Sequence, residues 1–253
     1  MREMLRKIDL LRDEVRLHKR LNIKPSDFVL EVGSGHNPMH RSDILSDKYV
    51  ENCRQRGGKI KIDNRPFIQC DAHKLPFKTD SFDYIICRHV IEHLDNPGEF
   101  LEEISRVGKR GYIECPSLIW ELLHPTRDYH KWYILEVKNT LVFKKKPLSA
   151  CKSIFGTLFE TKHGGIANTL EYRIFAKKFE NIFLVKHEWK GNVRYVIEPK
   201  DPYLLSFFEE PWDENKIKLF IRGQQGRYSD FLRFIINTLN TLFEQFFSRV
   251  LGK

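Results

Sequence analysis

The stretch richest in chemistry is Val29-Leu30-Glu31-Val32-Gly33-Ser34-Gly35-His36-Asn37-Pro38. An apolar run stops there at a Gly-x-Gly turn, with Glu31 just ahead of the first glycine. Glycines permit positive φ and let a ligand approach the backbone. In open α/β sheets, ligands bind where such strands end. The lysine of a P-loop and the third glycine of a dinucleotide fingerprint are missing. A carboxylate here would repel a pyrophosphate and suit an ammonium group. A second stretch runs Cys70-Asp71-Ala72-His73-Lys74-Leu75-Pro76-Phe77 and continues from Asp80 through Arg88-His89-Val90-Ile91-Glu92-His93-Leu94. Its His89-x-x-Glu92-His93 is an inverted zincin pattern. On a helix, His89 and His93 would share one face and could hold zinc, with Glu92 as base. The sequence identifies no third ligand.

These residues need elements to position them. Short strands are expected at 27–32, 43–47, 66–70, 83–87 and 111–115, with a helix over 97–107 that opens on proline and early acids. Strands alternating with helical or loop segments imply a mostly parallel α/β sheet. From Gly33 to Arg41 the chain is shorter than the dozen residues a crossover usually needs. The first crossover helix is therefore expected to be stunted. In the second half, 132–146 reads as a hairpin turning at Lys138-Asn139. Residues 182–199 read as another, turning near Gly191-Asn192, with a helical segment over 166–180 before it. Residues 1–20 read as an amphipathic helix, and so do 229–251, whose stripe includes Phe231, Ile235, Leu239, Leu242, Phe246 and Val250. Residues 199–228 have no clear pattern. The expected organisation is an N-terminal helix (1–20), one domain (21–198), and an irregular segment with a C-terminal helix (199–253).

As a set, the motifs over about residues 27–117 resemble class I S-adenosylmethionine-dependent methyltransferases, in the ubiquinone/menaquinone-biosynthesis-like branch with a GSGHNP turn. The resemblance implies a doubly wound, mostly parallel α/β sheet of the Rossmann-like methyltransferase type, with an antiparallel strand pair and terminal helices. It implies that Gly33, Ser34 and Gly35 line the methionine moiety of the cofactor and that Glu31 faces its amino group. Asp47 would take the ribose hydroxyls, with Asp63 as rival because the first crossover is so short. Asp71 would accept from the adenine amine, and Ala72 would pack on the ring. Arg88 and His89 would border the methionine and the substrate entrance. Because the sulfonium is already an activated methyl donor, catalysis rests on in-line positioning, and a base is needed only if the acceptor must lose a proton. Glu114, His124, His130 and Tyr133 are the candidates after the fifth strand. His130 is preferred, because it precedes the hairpin expected to roof the site.

Composition bounds the rest. The chain has 253 residues, 41% of them in the hydrophobic set, enough for a core. Neither an apolar run long enough to span a bilayer nor a secretory leader is expected. Five widely spaced cysteines without a CxxC argue for reduced thiols in a cytoplasmic protein, rather than a disulfide framework or cysteine zinc site. No metal is assigned. The net charge of +9 is spread along the chain. It could serve an anionic partner, yet no RNA-binding module accompanies it. Lys144-Lys145-Lys146 reads as a solvated face, or as a contact for substrate phosphate. The C-terminal stripe would cover the domain, pair with a second copy, or dock on a membrane surface. The acceptor is expected to be a small molecule, a glycan or a lipid-linked intermediate. The alternatives are a non-catalytic cofactor-binding member of the same fold, an RNA methyltransferase, and an HxxEH zinc hydrolase.

Overall fold

A computed structural model describes residues 21–221, apart from 52, 57 and 162–164. The helices expected over 1–20 and 229–251 lie outside the described residues. In chain order the first half contains β1 (Val29–Val32), β2 (Ile44–Asp47), β3 (Phe67–Gln69), β4 (Tyr84–Arg88), a 3₁₀ turn (Ile91–His93), α1 (Pro97–Val107), β5 (Arg110–Pro116) and α2 (Leu118–Leu123). The second half adds β6 (Trp132–Val137), β7 (Thr140–Lys145), α3 (Ile154–Glu160), α4 (Leu170–Lys178), α5 (Glu180–Phe183), β8 (Leu184–Lys190), β9 (Tyr195–Ile197), α6 (Pro202–Glu209) and α7 (Glu214–Ile221).

The main sheet has the order β3-β2-β1-β4-β5-β8. Its first five strands are parallel, and β8 runs antiparallel to β5. The strand order reverses between β1 and β4, which makes their carboxyl ends the topological switch point. Alternation along each strand divides the core into two layers. Leu30, Val32, Ile85, Cys87, Ile113 and Cys115 meet Phe100, Leu101, Ile104 and Val107 of α1. Burying each large apolar side chain of α1 contributes roughly 1.5–3 kcal/mol. Val29, Tyr84, Ile86 and Tyr112 face the other way, onto Leu21 and Met39. The helix α1 starts where it does because Pro97 fits the first turn and the Asn96 side chain accepts from the Glu99 amide at 3.3 Å.

The connections from β1 to β2, β2 to β3 and β3 to β4 carry no α-helix among the described residues. The stunted first crossover is thus one of three. Arginines hold two of these loops instead. Arg56 donates to the carbonyls of Tyr49 and Gly58 at 2.6 and 3.0 Å, and Arg65 donates to the carbonyl of Ser42 at 3.0 Å.

The first hairpin forms as expected, with Lys138 and Asn139 both at positive φ (49° and 60°) in its tight turn. The second does not. β8 joins the main sheet on β5, whereas β9 pairs in parallel with β7 to complete a separate three-stranded sheet. Gly191 does turn the chain (φ 72°), but each flanking strand finds a better partner elsewhere. Residues 199–221 hold two helices rather than an irregular segment. Phe207 of α6 packs on Leu118, Leu135, Val137 and Val142, covering the outer face of the hairpin. No helix among the described residues is long and apolar enough to cross a membrane.

Candidate active site

A cavity of about 530 Å³ opens at the carboxyl ends of β1, β2 and β4. Glu31, Gly33, Ser34, Gly35, Asp47, Asp71, Ala72, Arg88 and His89 all line it. The sheet brings them together from separate strand ends. The glycine turn is strapped to β2: the amides of Gly33 and Ser34 donate to the Ser46 carbonyl at 2.8 and 2.9 Å. The Gly35 amide donates to Asp47 Oδ2 at 3.0 Å. Gly33 and Gly35 adopt positive φ, 71° and 55°. A Cβ on Gly33 would lie 2.2 Å from Val90 Cγ2, so close packing forbids a side chain as firmly as the dihedral does.

Glu31 is 2 % exposed. One oxygen, Oε2, accepts from the Met39 amide at 2.8 Å and the Ser42 hydroxyl at 2.7 Å. The other, Oε1, faces Arg88 Nη2 at 3.8 Å. Burial raises the carboxyl to about 7, against the opposing pull of Arg88 and Ser42. Arg88 also donates to the Asn37 carbonyl at 2.9 Å and so pins the turn. Asp71 sits between Lys48 Nζ at 2.7 Å and His73, whose amide and Nδ1 lie at 3.0 and 2.8 Å. Burial alone would raise its pKa, but these bonds outweigh burial and hold it well below the usual carboxylate range. Asp63 does not line the cavity. Its carboxylate is taken by the Arg65 guanidinium at 2.7 and 2.9 Å, which draws it down to about 2.

His89 follows the last residue of β4 at a positive φ of 55°, uncommon for a residue with a side chain. Its amide donates to the Glu114 carbonyl at 2.8 Å. Its half-exposed ring faces Glu92 Oε1 and Glu114 Oε1, each at 3.6 Å. Burial would lower its pKa, yet the two carboxylates prevail and raise it. Glu114 lines the same cavity and accepts from the Tyr112 hydroxyl at 2.5 Å.

The other candidate bases lie elsewhere. His124 lines a second cavity of about 440 Å³, bonded to Glu160 at 3.0 Å and Tyr172 at 2.6 Å. Tyr133 lines neither cavity, and nor does His130. His130 is buried, with Nδ1 2.5 Å from Glu121 Oε1. It is held there because the hairpin does not roof the cavity. The Lys131 amide donates to the Glu92 carbonyl and Trp132 Nε1 to the Leu94 carbonyl, both at 2.8 Å, so β6 packs against the 3₁₀ turn. Lys177, Glu180, Leu184 and Lys186 form the far rim instead. The zincin arrangement is also absent. His89 lies between β4 and the 3₁₀ turn and only Ile91–His93 is helical, so His89 and His93 share no helix face. Lys146 leaves the basic run altogether and pairs with Glu121 at 2.7 Å in the interior.

Sequence reasoning missed Lys48, Arg56 and the far rim. Lys48 follows the strand-end Asp47, and the alternating pattern gave no hint of its reach to Asp71. Arg56, one of three arginines in a polar loop, carries no local signal at all.

Residues 43–113 match the model of a methyltransferase domain family. The glycine turn lies just ahead of that match. The chain is 26% identical over 162 residues to an uncharacterized methyltransferase of Schizosaccharomyces pombe, covering 56% of this chain and 58% of that one. It is 26% identical over 113 residues to a demethylmenaquinone methyltransferase of Streptomyces avermitilis, covering 43% and 48%. It is 25% identical over 130 residues to a ubiquinone/menaquinone biosynthesis C-methyltransferase of Burkholderia vietnamiensis, covering 45% and 53%. The chain spans about half the length of these relatives. Strand order, glycine turn and these matches together define a Rossmann-like methyltransferase fold. Over residues 43–113 the chain is thus similar to methyltransferase domains.

Proposed function

We propose that this chain binds S-adenosylmethionine in the 530 Å³ cavity and transfers its methyl group to a small-molecule, glycan or lipid-linked acceptor. The observation that carries the reading is the convergence of three carboxylates, Glu31, Asp47 and Asp71, around a positive-φ glycine turn at the switch point. The donor set fits the cofactor, which bears an ammonium, vicinal hydroxyls and an exocyclic amine. Ser34 Oγ is buried there without a hydrogen-bond partner, an atom that a polar ligand would satisfy. When bound, the cofactor supplies an activated methyl group.

The chain's own residues do the rest. Glu31 Oε1 offers a carboxylate oxygen to the ammonium. Asp47 keeps lone pairs for hydroxyls while it holds Gly35 in place. Asp71 accepts from the amine and Ala72 offers an apolar face. Arg88 fixes the turn, and His89 takes a proton from an acceptor that must lose one. The GSGHNP turn and the likeness to two quinone-biosynthesis methyltransferases support a reading within the ubiquinone/menaquinone-biosynthesis-like branch. Calorimetric titration with S-adenosylhomocysteine is expected to give one saturable site. A well-folded sample that binds none would overturn the reading.

One observation favours a lipid-linked acceptor within this reading. Leu148 and Ile154 are 80 % and 89 % exposed, and Phe155 and Leu158 lie close by on the surface. Such a patch fits a bilayer face or an isoprenoid chain. Co-sedimentation with anionic vesicles is the expected result, and Ile154→Asp should reduce it.

A further inference from the structure

We propose that Glu92, His93 and His130 form a binding site for a divalent metal ion of the zinc type, beside the main cavity. One ligand atom from each lies within 4.8 Å of the other two. Glu92 is 1 % exposed, and its Oε2 has no hydrogen-bond partner. A buried carboxylate oxygen left alone is costly, so the site is built for something with positive charge.

The hydrogen bonds around the two rings sharpen the point. His93 Nδ1 lies 3.1 Å from the Tyr129 carbonyl. A carbonyl only accepts, so Nδ1 carries the proton and the neutral ring presents a bare Nε2. His130 Nδ1 lies 2.5 Å from Glu121 Oε1, which accepts in the same way and leaves Nε2 bare. Three electron-pair donors thus converge with no proton donor among them. His93 Nε2 stands 3.8 Å from Glu92 Oε1, beyond a hydrogen bond. A cation between them turns mutual repulsion into coordination.

The outer shell is equally suggestive. Ligating histidines usually donate their other nitrogen to a carboxylate or backbone carbonyl, which fixes tautomer and orientation. Both arrangements occur here. Glu121 is itself balanced by Lys146 Nζ at 2.7 Å, in a pair wholly removed from solvent. Two imidazoles and a carboxylate suit zinc, whose ligands lie at about 2.0–2.2 Å in tetrahedral sites. That requires ligand atoms about 3.4 Å apart, a modest contraction of the present cluster. His93 also lines the main cavity, so a fourth ligand can reach the ion from that side. The inference does not depend on the methyl-transfer reading.

The test uses the full chain, free of any tag and stripped with a chelator. Titration with zinc chloride is expected to show one equivalent that survives gel filtration. His93→Gln and His130→Gln should each abolish it, whereas His89→Gln, the other histidine of the motif, should retain it. Glu121→Gln, which touches no ion, should weaken it by about 10–100-fold. Should these variants fail to fold, imidazole ¹⁵N NMR of the wild-type chain decides. Zinc is expected to shift the Nε2 resonances of both His93 and His130. The proposal is overturned if the wild-type chain binds no equivalent, if both histidine variants keep it, or if either resonance stays put. Titration of the stripped chain with S-adenosylhomocysteine reports the cofactor reading separately.

Discussion

The most informative residue is Glu31, a buried acid whose pKa of about 7 reflects desolvation more than any partner. Its two protonation states do different things. Above about pH 7 the carboxylate can meet an ammonium group, and below it the neutral acid cannot. The affinity for S-adenosylhomocysteine should therefore fall as pH is lowered from about 8 to 6, by up to about tenfold per unit. Calorimetry across that range checks this, and Glu31→Gln should bind weakly with a flat profile. A second contrast separates Asp47 from Asp63. Asp47 lines the cavity and fastens Gly35, whereas Asp63 is bound to Arg65 outside it. Asp47→Asn should weaken binding roughly tenfold or more, the scale of a lost charged hydrogen bond. Asp63→Asn should leave affinity unchanged within error.

At the scale of elements, the glycine turn and the 3₁₀ turn after β4 are one packing unit, since Val90 fills the space where Gly33 has no side chain. Gly33→Ala should abolish cofactor binding. Adding Val90→Ala removes the clash but not the unfavourable φ of 71°, so the double variant should recover stability only in part. Thermal denaturation and calorimetry measure the two effects. These elements also show what a sequence makes legible. The helix α1 was readable to its ends because its stop and start signals are local: a proline at the first turn, early acids and an apolar stripe. The Lys138-Asn139 hairpin was readable for the same reason. The supposed second hairpin failed because Gly191 announces a turn and says nothing about partners. β8 and β9 choose β5 and β7, strands far away in the chain. All nine cofactor candidates reached the cavity because strand ends of a parallel sheet share one edge. His130 did not, because its neighbour Glu121 is set by packing that no spacing encodes.

For the whole molecule, α2 is tied to the end of the β6–β7 hairpin by a charge pair almost wholly removed from water. Lys146 and Glu121 are 1% and 0% exposed at their side chains, and Lys146 also donates to the Arg127 carbonyl at 3.1 Å. Removing one partner leaves the other charge buried and uncompensated. Lys146→Met should cost about 3–5 kcal/mol, a drop in Tm of roughly 10 °C or more. Differential scanning calorimetry checks it. An unchanged Tm would mean that the pair is not intact in solution.

The three helix-free connections have a consequence for amide exchange. Loops fastened by side chains open locally at far less than the global unfolding free energy. Amides in segments 35–41 and 70–77 should therefore exchange quickly in the free protein, while those of β6 and β7 exchange slowly. A ligand that binds only the closed loops slows their exchange by a factor of one plus the ratio of free ligand concentration to Kd, about a hundredfold at one hundred times Kd. Hydrogen–deuterium exchange with and without S-adenosylhomocysteine should show that protection in the loops and none in β6 and β7. Loop order and ligand affinity are then two measurements of a single free energy.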